Sequence, residues 1–191
     1  MKNKKLYILL SDTGSLLTKM IKLYTKKTYN HVSISLDGEL KKVYSFGRKR
    51  MYNPFRGGFV HEDTKSGLFK QARCAIYSIS ISDEQFDRVA RYIQKMELQQ
   101  DKYHYNFIGL FGFLFNKPIE RKNAFFCSQF VATVLKEGNV VDIKKQPGLI
   151  SPGDIQECVE LGLVYEGALR GYHRNEETER FGFSSFVAAE V

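Results

Sequence analysis

The chain has 191 residues, 43% of them hydrophobic, which is enough for one substantial core and short for two domains. Its 29 Lys and Arg exceed its 21 Asp and Glu for a formal charge of +8, but the cations are dispersed through KNKK, TKK and GRKR. They read as a solvated surface outside any nucleic-acid module, so no nucleic-acid partner is expected. Three cysteines (Cys74, Cys127, Cys158) and four histidines without metal-type spacing indicate neither a disulfide framework nor a zinc site, and call for no metal or cofactor.

The opening MKNKKLYILLSDTGS has a basic head, but only Leu6 to Leu10 form an apolar run. That is too short for a signal-peptide core, so a cytoplasmic location is expected. KLYILLSD reads as a strand, and TGSLLTKMIKLYTKK as a helix with Leu16, Leu17, Met20, Ile21 and Tyr24 at helical spacing. In YNHVSISLDGELKKVYSFGR, alternation around Asp37-Gly38 predicts a hairpin whose first strand carries His31, Ser33 and Ser35 on one face and Val32, Ile34 and Leu36 on the other.

From Lys49 to Arg73 a charged, glycine-containing stretch is expected to be a long loop beside the sheet. Pro54, Gly57 and Gly58 would break regular structure there, while Tyr52, Phe55 and Phe59 would pack against a pocket. CAIYSISIS is a further strand. Ser82 and Gln85 suggest a capping box for a helix striped with Phe86, Val89, Ala90, Ile93 and Met96.

FIGLFGFLF, residues 107–115, is less than half the ~20 residues of a spanning helix and is expected to be a buried helix, with peripheral membrane contact the lesser reading. AFFCSQFVATVL begins a helix that ends near Gly138, and Pro152 opens another. Residues 1–165 read as one domain, and 166–191 as a polar extension packed on it or trailing it.

Cys127 heads its helix, where partial positive charge and unpaired N–H groups favour a thiolate. The backbone N–H groups of Cys127 and Ser128 could receive an oxyanion. A neutral imidazole is needed to take the thiol proton, and His31 is the best placed, on a strand face continued by small polar residues. His61, His104 and His173 lack an equal strand context. Taken singly, Cys127 is more often an inert core thiol and His31 more often an ordinary partly buried histidine; it is their combination that points to catalysis.

Together, His31 in NHVSIS and Cys127 in FCSQFV resemble the circularly permuted branch of the papain-like superfamily. That branch includes YiiX/YaeF-type amidohydrolases and lecithin:retinol acyltransferase relatives, and is related to NlpC-type peptidases. The histidine strand precedes the cysteine helix there, as it does here over residues 6–160. The resemblance implies an α+β fold, an antiparallel sheet packed against helices, with Cys127 as nucleophile and His31 as base at their junction.

It further implies a polar third residue on the following strand. The matching position is Ser45, where relatives commonly carry His, Glu or another stronger acceptor; either Ser45 orients the imidazole weakly or Glu62 takes the role. The activity implied is thiol-mediated hydrolysis or acyl transfer on an amide or ester of a small acyl or peptide substrate. The alternative is a catalytically weak binding protein of the same fold, at an anionic membrane surface. An imidazole nitrogen within about 4 Å of the Cys127 sulfur is required of the catalytic reading.

Overall fold

A computed structural model of the chain describes residues 4–13, 27–49, 56–158 and 160–173. The helix expected over 13–27 falls almost wholly outside them, as do Tyr52, Pro54, Phe55 and the chain after 173. The strands are β1 (Lys4–Asp12), β2 (His31–Ser35), β3 (Val43–Arg48), β4 (Gly57–His61), β5 (Arg73–Ile81), β6 (His104–Tyr105), β7 (Ala124–Phe125) and β8 (Gly162–Ala168). The helices are α1 (Asp83–Leu98), α2 (Phe107–Leu114), α3 (Cys127–Glu137) and α4 (Pro152–Gln156).

Six strands form one sheet in the order β4-β3-β2-β1-β5-β8, every neighbouring pair antiparallel, while β6 and β7 pair in parallel. The fold is thus α+β, an antiparallel sheet packed against helices. Alternation along the strands assigns the two faces. In register, Ile8 lies between Ile34 and Tyr77, and Leu10 between Val32 and Ala75. This face continues through Tyr44, Phe46 and Phe59 and forms the main core with α1 and α3. The opposite face carries Leu9, Val43, Cys74 and Ile76, covered by Leu40, Leu169 and Tyr172.

Local chemistry accounts for the elements. The β2–β3 turn is held by the Asp37 carboxylate, which accepts from the backbone N–H groups of Lys41 and Lys42 at 2.9 and 2.7 Å. The expected capping box at Ser82 and Gln85 is formed in both directions, and Val89, Ile93 and Met96 bury the α1 stripe. A second capping box, Ser151 with Asp154, starts α4 at Pro152. Gly138 caps α3.

The segment 49–73 departs from the expected loop. Residues 57–61 are strand β4, paired to β3 with Phe59 opposite Phe46, and a 3-10 turn spans Gly67–Gln71. Gly57 and Gly58 do not break structure but permit a close approach. A Cβ on Gly57 would lie 2.8 Å from the Tyr105 Cβ, and one on Gly58 would collide with the Tyr103 carbonyl oxygen. The glycines therefore let β4 lie against the chain at 103–105, which masks the strand signal in the sequence.

Two other features differ from expectation. Strand β8 runs through Ala168, so the first residues of the expected extension complete the edge of the sheet, and 169–173 form a helical turn beyond it. Helix α2 is not buried all round: Ile108 and Phe111 are 50% and 57% exposed. No helix among the described residues is long and apolar enough to cross a membrane.

Candidate active site

Cys127 is the first residue of α3, and the residue before it, Phe126, offers no side-chain cap. The first-turn N–H groups are thus not consumed by a capping oxygen. Helix α3 is fixed by Phe130, one turn on and fully buried, whose ring lies 5.2 Å from that of Phe46 and 5.8 Å from that of Phe59. These three aromatics tie the helix to β3 and β4. The Ser128 hydroxyl donates to the Ile150 carbonyl at 2.6 Å, anchoring the same turn from the other side. The Cys127 side chain is left at the wall of a cavity of about 300 Å3 that His31, Glu62, Tyr105 and Phe69 also line.

His31 opens β2 opposite Ser11, on the sheet face away from α3. Cys127 comes from the helix-covered face, and the two side chains meet at the end of β2, where both line the cavity and the Cys127 sulfur favours the charged imidazole. On its other side the imidazole Nε2 lies 2.7 Å from Glu62 Oε1. With Nε2 engaged there, Nδ1 is the nitrogen available to the thiol. The Ser33 hydroxyl donates to Glu62 Oε2, so both carboxylate oxygens are held.

Ser45 does not orient the histidine. Its hydroxyl donates to the Val32 carbonyl at 2.8 Å, and of the two candidates the structure puts Glu62 on the ring. The reason is the strand order. Glu62 follows β4, His31 lies on β2, and β3 intervenes, so the carboxylate must cross β3 to reach the imidazole. On that face of β3, Val43 lies level with Glu62 and is followed toward His31 by Ser45 and Gly47; a Cβ built on Gly47 would stand 3.7 Å from Glu62 Oε1 and 4.0 Å from the His31 ring. Small residues on the middle strand leave the passage open.

Burial opposes charging of the imidazole, yet the Glu62 carboxylate and the nearby Cys127 sulfur outweigh it and raise the His31 pKa from 6.5 to about 10. His31 is accordingly an imidazolium at neutral pH, flanked by a carboxylate and a sulfur. Tyr105 also borders the site: burial first, and then the proximity of Cys127, hold its hydroxyl well above the ordinary phenol range, so it is a neutral hydrogen-bond donor.

The other histidines are engaged elsewhere. His61 meets the Lys41 carbonyl at 2.9 Å and His173 meets Thr64 at 3.1 Å, while His104 is exposed in β6. Cys74 and Cys158 are free thiols. Burial, followed by the charge of Glu166, pushes Cys74 up to about 12 and makes it a poor nucleophile. Among the described residues no group of three or more His, Cys, Asp or Glu could hold a metal ion.

Sequence reasoning missed Tyr105 and the part played by Ser33. Ser33 shares parity with His31, a signal present in the sequence, but its partner follows a strand hidden by Gly57 and Gly58. Tyr105 gives no local signal, because a two-residue strand in an irregular stretch brings it to the cavity. No protein-family model, curated protein or solved structure matches the chain.

Proposed function

We propose that the chain is a thiol hydrolase or acyltransferase of the permuted papain-like type, acting on an amide or ester bond. One observation carries this reading: His31 stands between the Cys127 thiol and the Glu62 carboxylate, 2.7 Å from the latter. A nucleophile beside a base that is itself oriented by a third group is the arrangement covalent catalysis needs. Glu62 also favours turnover over the binding-protein alternative, whose appeal rested on a weak third residue.

In this mechanism the Cys127 sulfur attacks the substrate carbonyl carbon, the π electrons move to oxygen, and the first-turn N–H groups of α3 receive the oxyanion. As the C–N or C–O bond breaks, the His31 imidazolium gives its proton to the departing amine or alcohol, leaving a thioester on Cys127. Neutral His31 then takes a proton from water or an acceptor amine, whose attack releases the acyl product and restores the thiol proton to the pair. Glu62 keeps the ring aligned and stabilises its charged form through both steps.

The test is trapping of the acyl-enzyme. Incubation with p-nitrophenyl acetate should give a burst of nitrophenol stoichiometric with protein and an acetyl mass increment on Cys127, absent from His31→Ala. An unmodified Cys127 with no burst, while iodoacetamide alkylates wild type and His31→Ala at equal rates, would leave the binding-protein reading ahead.

A further inference from the structure

The sequence FIGLFGFL of α2 contains no polar side chain, so the helix has no polar face to present to water. Its inner side, with Phe107, Leu110 and Phe113, packs against the main core. Its outer side carries Ile108 and Phe111, and Phe115 follows at the C-cap; they are 50%, 57% and 75% exposed and share a face by their i, i+3, i+7 spacing. Gly112 lies on that same face. A Cβ there would stand 2.8 Å from the Ile119 side chain, which closes over the glycine and remains 38% exposed itself. The returning chain is pinned at this point by the Lys117 N–H, which donates to the Gly112 carbonyl at 2.8 Å. The result is a contiguous apolar ridge.

Cations border this ridge. Lys117, Arg121 and Lys122 are exposed on the returning segment, against the single acid Glu120, in a chain whose formal charge is +8. We infer that the outward face of α2, with the segment through Lys122, docks on an anionic lipid bilayer: Ile108, Phe111, Phe115 and Ile119 enter the headgroup boundary while Lys117, Arg121 and Lys122 meet lipid phosphates. Exposed aromatics beside basic residues are the composition of an interfacial helix. A second copy of this chain fits poorly, because a contact through the same ridge would gather the cations of both copies around one apolar patch with only Glu120 from each to offset them. Phe107, at the start of α2, lines the Cys127 cavity, so docking would bring that cavity to the bilayer surface.

The chain has no tryptophan, so Phe111→Trp installs a unique reporter at the ridge. Its fluorescence should shift to the blue on adding phosphatidylcholine vesicles that contain phosphatidylglycerol, weakly or not at all with phosphatidylcholine alone, and the shift should fall as salt is raised. In co-sedimentation, Phe111→Asp with Phe115→Asp should lower vesicle partitioning by about tenfold or more. Lys117→Glu with Lys122→Glu should do so on anionic vesicles by a similar factor. Unchanged thermal unfolding of these surface variants would show that the loss is not misfolding. Cys127→Ala should bind as wild type does, which separates this proposal from the catalytic one. Binding unaffected by either double variant, or a blue shift that follows protein concentration without lipid and accompanies doubling of mass, would overturn the proposal.

Discussion

At the scale of single residues, the candidate site centres on one imidazole with two neighbours, Glu62 and Cys127. An unassisted thiol of ordinary pKa ~8.5 is only about 3% thiolate at pH 7, so the neighbouring imidazolium should dominate the alkylation rate of Cys127. His31→Ala should slow iodoacetamide alkylation near neutrality by roughly tenfold or more, the N-terminal field of α3 supplying what remains. Glu62→Gln keeps a hydrogen-bonding side chain but removes the charge that raises the His31 pKa, and should fall between wild type and His31→Ala. Ser45→Ala should leave the rate unchanged, since its hydroxyl bonds the Val32 carbonyl and not the ring. Its effect should appear in denaturant unfolding instead, as a loss of about 1 kcal/mol for one buried hydrogen bond. His104→Ala should alter neither quantity.

At the scale of elements, the position of Cys127 depends on how α3 is seated and on how closely β4 approaches the chain at 103–105. Phe130→Ala would empty the space between Phe46 and Phe59 and should destabilise the protein by about 3–5 kcal/mol, read from urea midpoints. Alkylation of Cys127 should slow as well, because the cysteine lies one turn before the lost anchor. Gly58→Ala places a methyl group on the Tyr103 carbonyl and should cost about 1–3 kcal/mol as β4 moves outward. That shift carries Glu62 with it, so the variant should also show a weakened His31 and Cys127 pair. A Gly58→Ala protein as stable as wild type would mean the close approach of β4 is not required.

For the whole molecule, the His31 site links folding to pH. Its pKa rises from 6.5 to about 10 in the folded chain, so the folded state binds the proton more tightly than the unfolded one. The resulting stability is fully present below pH 6.5 and is lost as pH rises through the folded value near 10. Urea midpoints should therefore fall between those limits in wild type, and the part of the slope due to His31 should vanish in His31→Ala. Other groups that titrate in the alkaline range leave a background slope common to both proteins.

What was legible in the sequence was whatever a local period or a short-range bond encodes. The apolar run in LYILLSD, the alternation in HVSIS, the Asp37-Gly38 turn, the Ser82 and Gln85 cap and the stripe of α1 each depend on residues within a few positions, and they fold as expected. The ordering of His31 before Cys127 was likewise visible, and so was Glu62 as a candidate acceptor. The choice between Ser45 and Glu62 was not, because it depends on a carboxylate crossing an intervening strand, a relation that exists only once β4, β3 and β2 lie side by side. Strand β4 itself was hidden by Gly57 and Gly58, whose missing side chains answer to a distant segment and not to their neighbours. The exposed ridge of α2 was equally out of reach: a uniformly apolar run does not say which of its sides the core will cover, and only the packing of Phe107, Leu110 and Phe113 leaves Phe111 and Phe115 outward.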